Sequence, residues 1–347
     1  MNIVVLCGGL SNERDVSISS GTEVTRALRG LGHKAVLVDV FFGYTGSYQK
    51  PEEIFDLPQP ELGVGVGEQI PDLEAVRAMR QQDDDSLVGK NVIEICRAAD
   101  MTFLALHGEE GENGKLQAML DICGIKYTGC GYLGSAIAMN KGVTKSLLQQ
   151  GGVLVPEGIR LKKGEQPYAN VGFPCVVKPC SGGSSVGTYI VTDEKEYASH
   201  VEMAFQFEDE LIVEQYIKGR ELTVGVMDGR AMPAIEIIPK SGFYDYKNKY
   251  QAGLTEEICP APLTDEETAR LQREAEKVNR LLHIDAYCRV DFLMDASGRL
   301  YCLEANTLPG MTPTSLVPQE AAAVNIGYGE LCERVVAESL RVRGKQA

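Results

Sequence analysis

The sequence predicts a mixed architecture, α/β over its first third and α+β over the remainder, and three observations carry that expectation. The chain opens on a strand–loop–helix–strand unit, Asn2–Cys7, Ser17–Leu31 and Lys34–Val40. Near its middle, two short apolar strands are joined by the small-residue loop Cys180–Gly187. Toward its end, Tyr287–Met294 and Arg299–Ala305 flank Asp295-Ala296-Ser297-Gly298, a turn with Asp first and Gly fourth, and so form a hairpin.

In chain order, the helix after Asn2–Cys7 stops at Gly32, and the β-loop-α-β unit places its functional end at the C-terminal tips of the strands. Gly8-Gly9 lacks the G-x-G-x-x-G spacing of a dinucleotide site. Glu13, at the strand-to-helix crossing, suits either a substrate ammonium or the positive end of the helix dipole. Residues 43–86 are polar, acidic and rich in Gly and Pro, and read as an insertion with at most short helices. A helix over Leu87–Ala98, a strand over Met101–Leu106 and a helix over Lys115–Cys123 follow, the last two joined by His107–Gly114. His107 fits a substrate contact and a hydrogen-bonded structural role equally well. The pattern changes around Thr128–Gly134, and a helix over Ser135–Gln150 carries Lys141 and Lys145.

Phe173–Lys178 and Thr188–Thr192 are the strands flanking the Gly/Ser loop, whose backbone N–H groups and hydroxyls can fold over phosphates without the G-K-[ST] ending of the Walker type. A helix over Asp193–Phe207 and strands over Glu210–Ile217, Leu222–Met227 and Ala234–Pro239 come next. Glu221 between two of these strands fits a ribose hydroxyl acceptor or a plain surface carboxylate. Lys240–Leu254 is dense in Tyr and Lys and reads as a lid over a site. Thr264-Asp265-Glu266-Glu267 is a capping box opening a helix to Leu282, and a last helix spans Tyr328–Val342.

Composition bounds the function. With 44% hydrophobic and 24% charged residues over 347 positions, the chain suits two or three globular domains. A net charge of −15 argues against a nucleic-acid partner. Ten cysteines without C-x-x-C point to reduced, buried thiols. The N-terminus has no signal-peptide pattern and no apolar run suits a transmembrane helix, so a cytoplasmic location and no membrane partner are expected.

The hairpin carries the chemistry. With Asp295 facing Gly298, alternation puts Arg289, Asp291, Glu304 and Asn306 on one face. Two carboxylates and an amide oxygen, without sulfur or imidazole, suit Mg²⁺ held partly by substrate phosphates.

Together, Gly8–Ser17 (GG-x-SNERDVS), Ala105–Gln117 (ALHGEEGENG-x-LQ), Met139–Lys145 (MNKGVTK), Val176–Gly187 (VVKP…GGSSVG), Phe243–Tyr250 (FYDYKNKY), Arg289–Phe292 (RVDF) and Glu304–Leu316 (EANTLPGMTPTSL) resemble the D-alanine–D-alanine ligase family of the ATP-grasp superfamily. The resemblance implies three domains: a doubly wound parallel-sheet domain over 1–130, a central ATP-grasp subdomain over 131–213 and a C-terminal one over 214–347. It implies ATP-dependent joining of two D-alanines through an acyl phosphate, for peptidoglycan precursor synthesis. ATP and Mg²⁺ (or Mn²⁺) are the implied cofactors, and a homodimer the implied assembly.

The resemblance also implies residue roles. Glu13 holds the first D-alanine's ammonium, and Ser184 with Tyr250 ties the lid to it. Arg289 stabilises the tetrahedral oxyanion. Lys141, Lys178 and Lys249 meet the phosphates, with Ser185 and Val186 in the Gly-rich loop. Glu214, Gln215, Tyr216 and Ile217 form the adenine hinge, and Glu221 takes the ribose. His107, Gly310, Ser315 and Leu316 line the amino-acid site, while Asp291, Glu304 and Asn306 hold the metal. Two departures stand out: Asn140 replaces the family's common Asp before the lysine, and 43–86 is a long acidic insertion. Tyr250 favours an amine acceptor over a hydroxy acid; D-serine ligation and a non-catalytic nucleotide-binding module are the alternatives.

Overall fold

The computed structural model describes residues 1–58, 71–80, 85–165, 171–183, 186–240 and 255–344. Its first sheet is parallel, in the order β2-β1-β3, from β1 (Asn2–Cys7), β2 (Lys34–Asp39) and β3 (Met101–Leu104). Parallel strands are buried on both faces, so these read as continuous apolar runs, and alternation sorts their side chains into two cores. Val4 and Leu6 meet Val92, Ile95, Leu116 and Leu120 on one side. Ile3 and Val5 face Val24 and Leu28 of α1 (Arg14–Gly30) on the other, together with Leu331, Val335 and Val336 from the far end of the chain.

Within the insertion lie a 3₁₀ turn at Pro51–Phe55 and α2 (Leu73–Ala78); residues 59–70 and 81–84 fall outside the described residues. The helix expected from Leu87 begins only at Val92, as α3 (Val92–Arg97). Asn91 is held out of it by a reciprocal pair of hydrogen bonds with the Tyr44 backbone, at 2.9 and 2.7 Å. The loop after β3 holds the short α4 (Glu109–Glu112) before α5 (Lys115–Ile122).

One helix was expected over 135–150, and two are found, α6 (Tyr132–Met139) and α7 (Lys141–Gln150). Asn140 separates them with ψ 99°, and its side chain accepts from the Val143 N–H at 2.9 Å, capping α7. Aliphatic periodicity runs through the break, which is why the pattern read as continuous.

The second sheet is antiparallel, in the order β4-β7-β5-β6: β4 (Gly158–Lys162), β5 (Cys175–Pro179), β6 (Tyr189–Val191) and β7 (Glu210–Gln215). One face packs on α8 (Glu194–Ala204) through Val177, Val191 and Val213 against Tyr197 and Val201. The third sheet runs β11-β10-β8-β12-β13, with β9 (Arg230–Ala231) paired to β8 (Gly219–Met227). Its other members are β10 (Ile235–Pro239), β11 (Thr255–Ile258), β12 (Tyr287–Asp295) and β13 (Leu300–Asn306). Leu222, Val224, Val290 and Phe292 bury its inner face under α9 (Asp265–Leu281), which opens with the expected capping box and packs Leu271, Ala275 and Val278. Strands β4, β9 and β11 and the helix α10 (Leu316–Ala323) carry no strong sequence signal; α10 admits Pro318 because its first turn needs no intrahelical N–H donor. The chain closes with α11 (Tyr328–Arg343).

All ten cysteines are free, with Cys123 and Cys259 half-buried and the rest buried. Among the described residues no helix is long and apolar enough to cross a membrane.

Candidate active site

The β12–β13 hairpin positions the site, by a register that differs from the expected one. Near the turn Met294 faces Leu300 and Phe292 faces Cys302, not the pairing that Asp295 opposite Gly298 would give. Continued unbroken, that register would carry Glu304 and Asn306 to the Phe292 face, into the core. A β-bulge at Asp291/Phe292 corrects it, so that Asp291 faces Glu304 and Arg289 faces Asn306. The four polar side chains therefore share the face opposite the core, as expected, although the register near the turn is shifted by one.

Two adjoining cavities meet at this face. The first, about 480 Å³, is lined by Glu13, His107, Arg289, Asn306, Gly310, Ser315 and Leu316. The second, about 560 Å³, lies between the two antiparallel sheets and is lined by Lys178, Val186, Glu214 through Ile217, Glu221 and Asp291. Lys141, Gly182, Gly183 and Glu304 line both. Ser184, Ser185, Lys249 and Tyr250, with the expected lid, lie outside the described residues.

At the junction Arg289 grips Asp291 in a two-point ion pair, Nε to Oδ1 at 2.9 Å and Nη2 to Oδ2 at 2.7 Å. Thr223 on β8 donates to the same Oδ1 at 2.6 Å. Asp291 is thus fixed in place before any ligand arrives, and Arg289 is oriented by it. Asn306 turns its Oδ1 to the Leu308 N–H at 3.0 Å, and Lys141 Nζ lies 3.6 Å from Glu304 and 2.7 Å from the Gly182 carbonyl. Among the described residues no group of three or more His, Cys, Asp or Glu is placed to hold a metal; the set here is two carboxylates and an amide. An oxygen-only set on one strand face, where the two cavities join, fits Mg²⁺.

Glu13 occupies the N-cap position of α1 without making a side-chain cap. It lines the first cavity, and a Cβ added to Gly183 would stand 3.0 Å from its carboxylate, so Gly183 lies close against it. His107 lines the same cavity, yet both ring nitrogens serve the protein. Its Nδ1 meets the Leu308 carbonyl at 2.9 Å and its Nε2 the Ser20 hydroxyl at 3.0 Å. Burial lowers its pKa, which keeps the ring neutral, and the carbonyl partner places the proton on Nδ1. Both ring nitrogens thus serve the structural role, while the ring still lines the first cavity.

In the second cavity Glu214 is buried and its two oxygens lie 2.6 Å from Lys178 and 2.6 Å from Lys145. Burial opposes the charge on Lys178, yet Glu214 prevails and raises its pKa; on Lys145 burial prevails and lowers it. Tyr216 and Ile217 follow the end of β7 and form the passage from one sheet to the other along the cavity wall. Ser315 is the N-cap residue of α10, so the first free N–H groups of that helix open at the first cavity.

Three contributors carried no assigned role in the sequence. Glu112, buried in the first cavity's wall, has its pKa pushed up to about 8 by burial and then by Glu13. Thr223 and Lys145 act through partners distant in sequence. The Glu-rich run 109–112 was a visible signal for the first; nothing local announces the other two.

Residues 2–130 match the family described as D-ala D-ala ligase N-terminus and residues 153–337 that described as D-ala D-ala ligase C-terminus. The D-alanine–D-alanine ligase of Pediococcus pentosaceus is 44% identical over 340 residues, covering 97% of each chain. The Bacillus anthracis D-alanine–D-alanine ligase complexed with ATP superposes with a TM-score of 0.74 at 29% identity, over 100% of this chain and 99% of that one. The VanG D-Ala:D-Ser ligase from Enterococcus faecalis gives 0.75 at 25% identity, over 98% and 100%. The sheets are those of an ATP-grasp ligase, and with both halves matched and relatives aligned along nearly its whole length, the chain belongs to the D-alanine–D-alanine ligase family.

Proposed function

We propose that the protein joins two D-alanines into D-alanyl-D-alanine at the cost of ATP, supplying a peptidoglycan precursor. The observation that carries this reading is the junction of the two cavities at Lys141, Gly182, Gly183 and Glu304, which supports a phosphate end in one meeting an amino-acid end in the other. A carboxylate is a poor acyl electrophile. Its oxygen takes the γ-phosphoryl group as ADP leaves; the second amine then attacks the acyl carbon, loses a proton and expels phosphate.

In this reading adenine lies along Glu214–Ile217, ribose at Glu221 and phosphates against Lys141, Lys178, Val186 and, beyond the described residues, Ser185 and Lys249. Asp291, Glu304 and Asn306 would hold Mg²⁺, which when bound neutralises phosphate charge. Glu13 takes the donor ammonium, with Ser184 and Tyr250 closing the lid over it. Arg289, already aimed at the junction by Asp291, faces the tetrahedral oxyanion. Ser315 and the N–H of Leu316 receive the acceptor carboxylate beside Gly310, where the α10 N-terminus favours an anion. A division into 1–130, 131–213 and 214–347, a homodimer and a cytoplasmic location complete the proposal.

Incubation with ATP, Mg²⁺ and equimolar D-alanine, D-serine and D-lactate, followed by mass spectrometry and phosphate release, tests it. D-alanyl-D-alanine is the expected main product. A D-alanyl-D-serine product would move the protein to the acceptor class of its VanG neighbour, since a pocket rejects one added hydroxyl only weakly. No phosphate release with any donor would overturn the enzymatic reading.

A further inference from the structure

Under the nucleotide cavity lies a buried triad that the reaction scheme does not use in full. The Glu214 carboxylate is shared by two ammonium groups, Lys178 on Oε1 and Lys145 on Oε2, each at 2.6 Å. Their side chains are 3%, 11% and 9% exposed for Glu214, Lys178 and Lys145. Glu214 and Lys178 line the cavity; Lys145 stands behind them and is not among its lining residues. Neither the Lys145 ammonium nor Glu214 Oε2 has a hydrogen-bond partner of good geometry among the described residues, so their ion pair is the main interaction each has.

The topology makes this arrangement specific. Lys178 on β5 and Glu214 on β7 project from the same face of the second sheet, two residues apart diagonally across the ladder, with Val176 opposite Glu214 and Ile212 opposite Lys178. Lys141 and Lys145 are four residues apart on α7 and so emerge on one side of it. Lys141 reaches the cavity junction, and Lys145 reaches the far oxygen of Glu214.

A carboxylate buried with one ammonium cannot easily release it, because the carboxylate left behind would be a bare charge in a low-dielectric site. An arriving phosphate would then compete with Glu214 for Lys178. A second ammonium on the opposite oxygen removes that obstacle. Resting on the nucleotide site proposed above, we propose that Lys145 is a positioning residue for nucleotide binding: it holds Glu214 so that Lys178 can leave the carboxylate for a phosphate oxygen.

The test is a double-mutant cycle read by calorimetric MgADP affinity and by KM for ATP against kcat, with Lys145→Met, Lys145→Arg, Glu214→Gln and the double variant Lys145→Met/Glu214→Gln. In Lys145→Met, Glu214 keeps Lys178 for itself, so MgADP binding weakens by about 10-fold or more and KM for ATP rises in parallel, while kcat at saturating ATP stays within about threefold. Lys145→Arg keeps the charge and restores most of the affinity. In the Glu214→Gln background there is no carboxylate to hold, and adding Lys145→Met changes MgADP binding by less than about threefold. Equal losses in both backgrounds would mark Lys145 as packing alone and overturn the inference, as would unchanged affinity in Lys145→Met. Should Lys145→Met not fold, Lys145→Gln replaces it in both backgrounds and is read by the same limits. Absence of MgADP binding by the unsubstituted protein would instead sink the nucleotide site itself.

Discussion

Arg289 has two duties that pull in the same direction. Its guanidinium fixes Asp291 through two hydrogen bonds, and it lines the first cavity, proposed above to take the amino acids. Because Thr223 also holds Asp291 at 2.6 Å, loss of Arg289 leaves that carboxylate one anchor among the described residues. We therefore expect Arg289→Ala to lower turnover by ~100-fold or more, the scale of removing an oxyanion donor, with MgADP affinity changed by less than about threefold. Steady-state kinetics and calorimetry on the same preparation check it. Equal losses in turnover and nucleotide affinity would make Asp291 orientation its main duty. At this scale the sequence was informative where a residue acts by itself: the strand alternation exposed Arg289, Asp291, Glu304 and Asn306. It was silent on Thr223 and Lys145, whose roles exist only through partners 68 and 69 positions away.

Among the elements, the hairpin shows how a correct grouping can come from an incorrect register. The Asp-x-x-Gly turn is legible, but a bulge is set by competition between core packing of Phe292 and Cys302 and the polar pairing beyond them, and no local residue type declares it. The helix break at Asn140 was hidden for a similar reason, since apolar periodicity continues through a cap. A buried acid in α10 gives the element scale its own prediction. Gly225 lies on β8 between the stretches paired with β10 and β9, and its N–H is taken at 2.7 Å by Glu320, a fully buried residue. A Cβ at 225 would overlap that carboxylate, so glycine is required by the close approach. Burial raises the Glu320 pKa well above its ordinary 4.5, with the Gly225 N–H and Arg289 only partly opposing it. A raised folded-state value means that the stabilisation is complete below the unfolded value and is lost as pH rises through the folded one. Glu320→Gln keeps an acceptor for Gly225 and does not titrate. Urea unfolding between about pH 5 and about pH 9 should show the Gln variant gaining stability relative to the unsubstituted protein as pH rises. A constant difference across that range would mean that Glu320 is not held neutral.

Across the whole molecule, the chain's two ends form one core. The first sheet, with α1, looks in the sequence like the start of a self-contained α/β unit ending near residue 130. In the structure the face formed by Ile3, Val5, Met101 and Phe103 is completed by Leu331, Val335 and Val336 of α11 and by Met311 and Val317. Arg343 adds a stack 4.0 Å from the Tyr127 ring and a 2.9 Å hydrogen bond to the Gly129 carbonyl. Burial of Leu331, Val335 and Val336 contributes roughly 5–9 kcal/mol at about 1.5–3 kcal/mol each. That is comparable to the whole stability of a domain, about 5–15 kcal/mol. Periodicity marks which residues are apolar but not which distant helix covers them, so this closure was invisible before the topology was known. The consequence is that residues 1–130 expressed alone should lack a cooperative thermal transition and bind ANS, whereas the full chain does neither. Adding a peptide spanning 326–344 in trans should reduce the ANS signal and recover near-UV dichroism at least in part. A fragment that melts cooperatively without the peptide would show that α1 and the insertion-side helices suffice, and that α11 is an accessory rather than part of the first sheet's core.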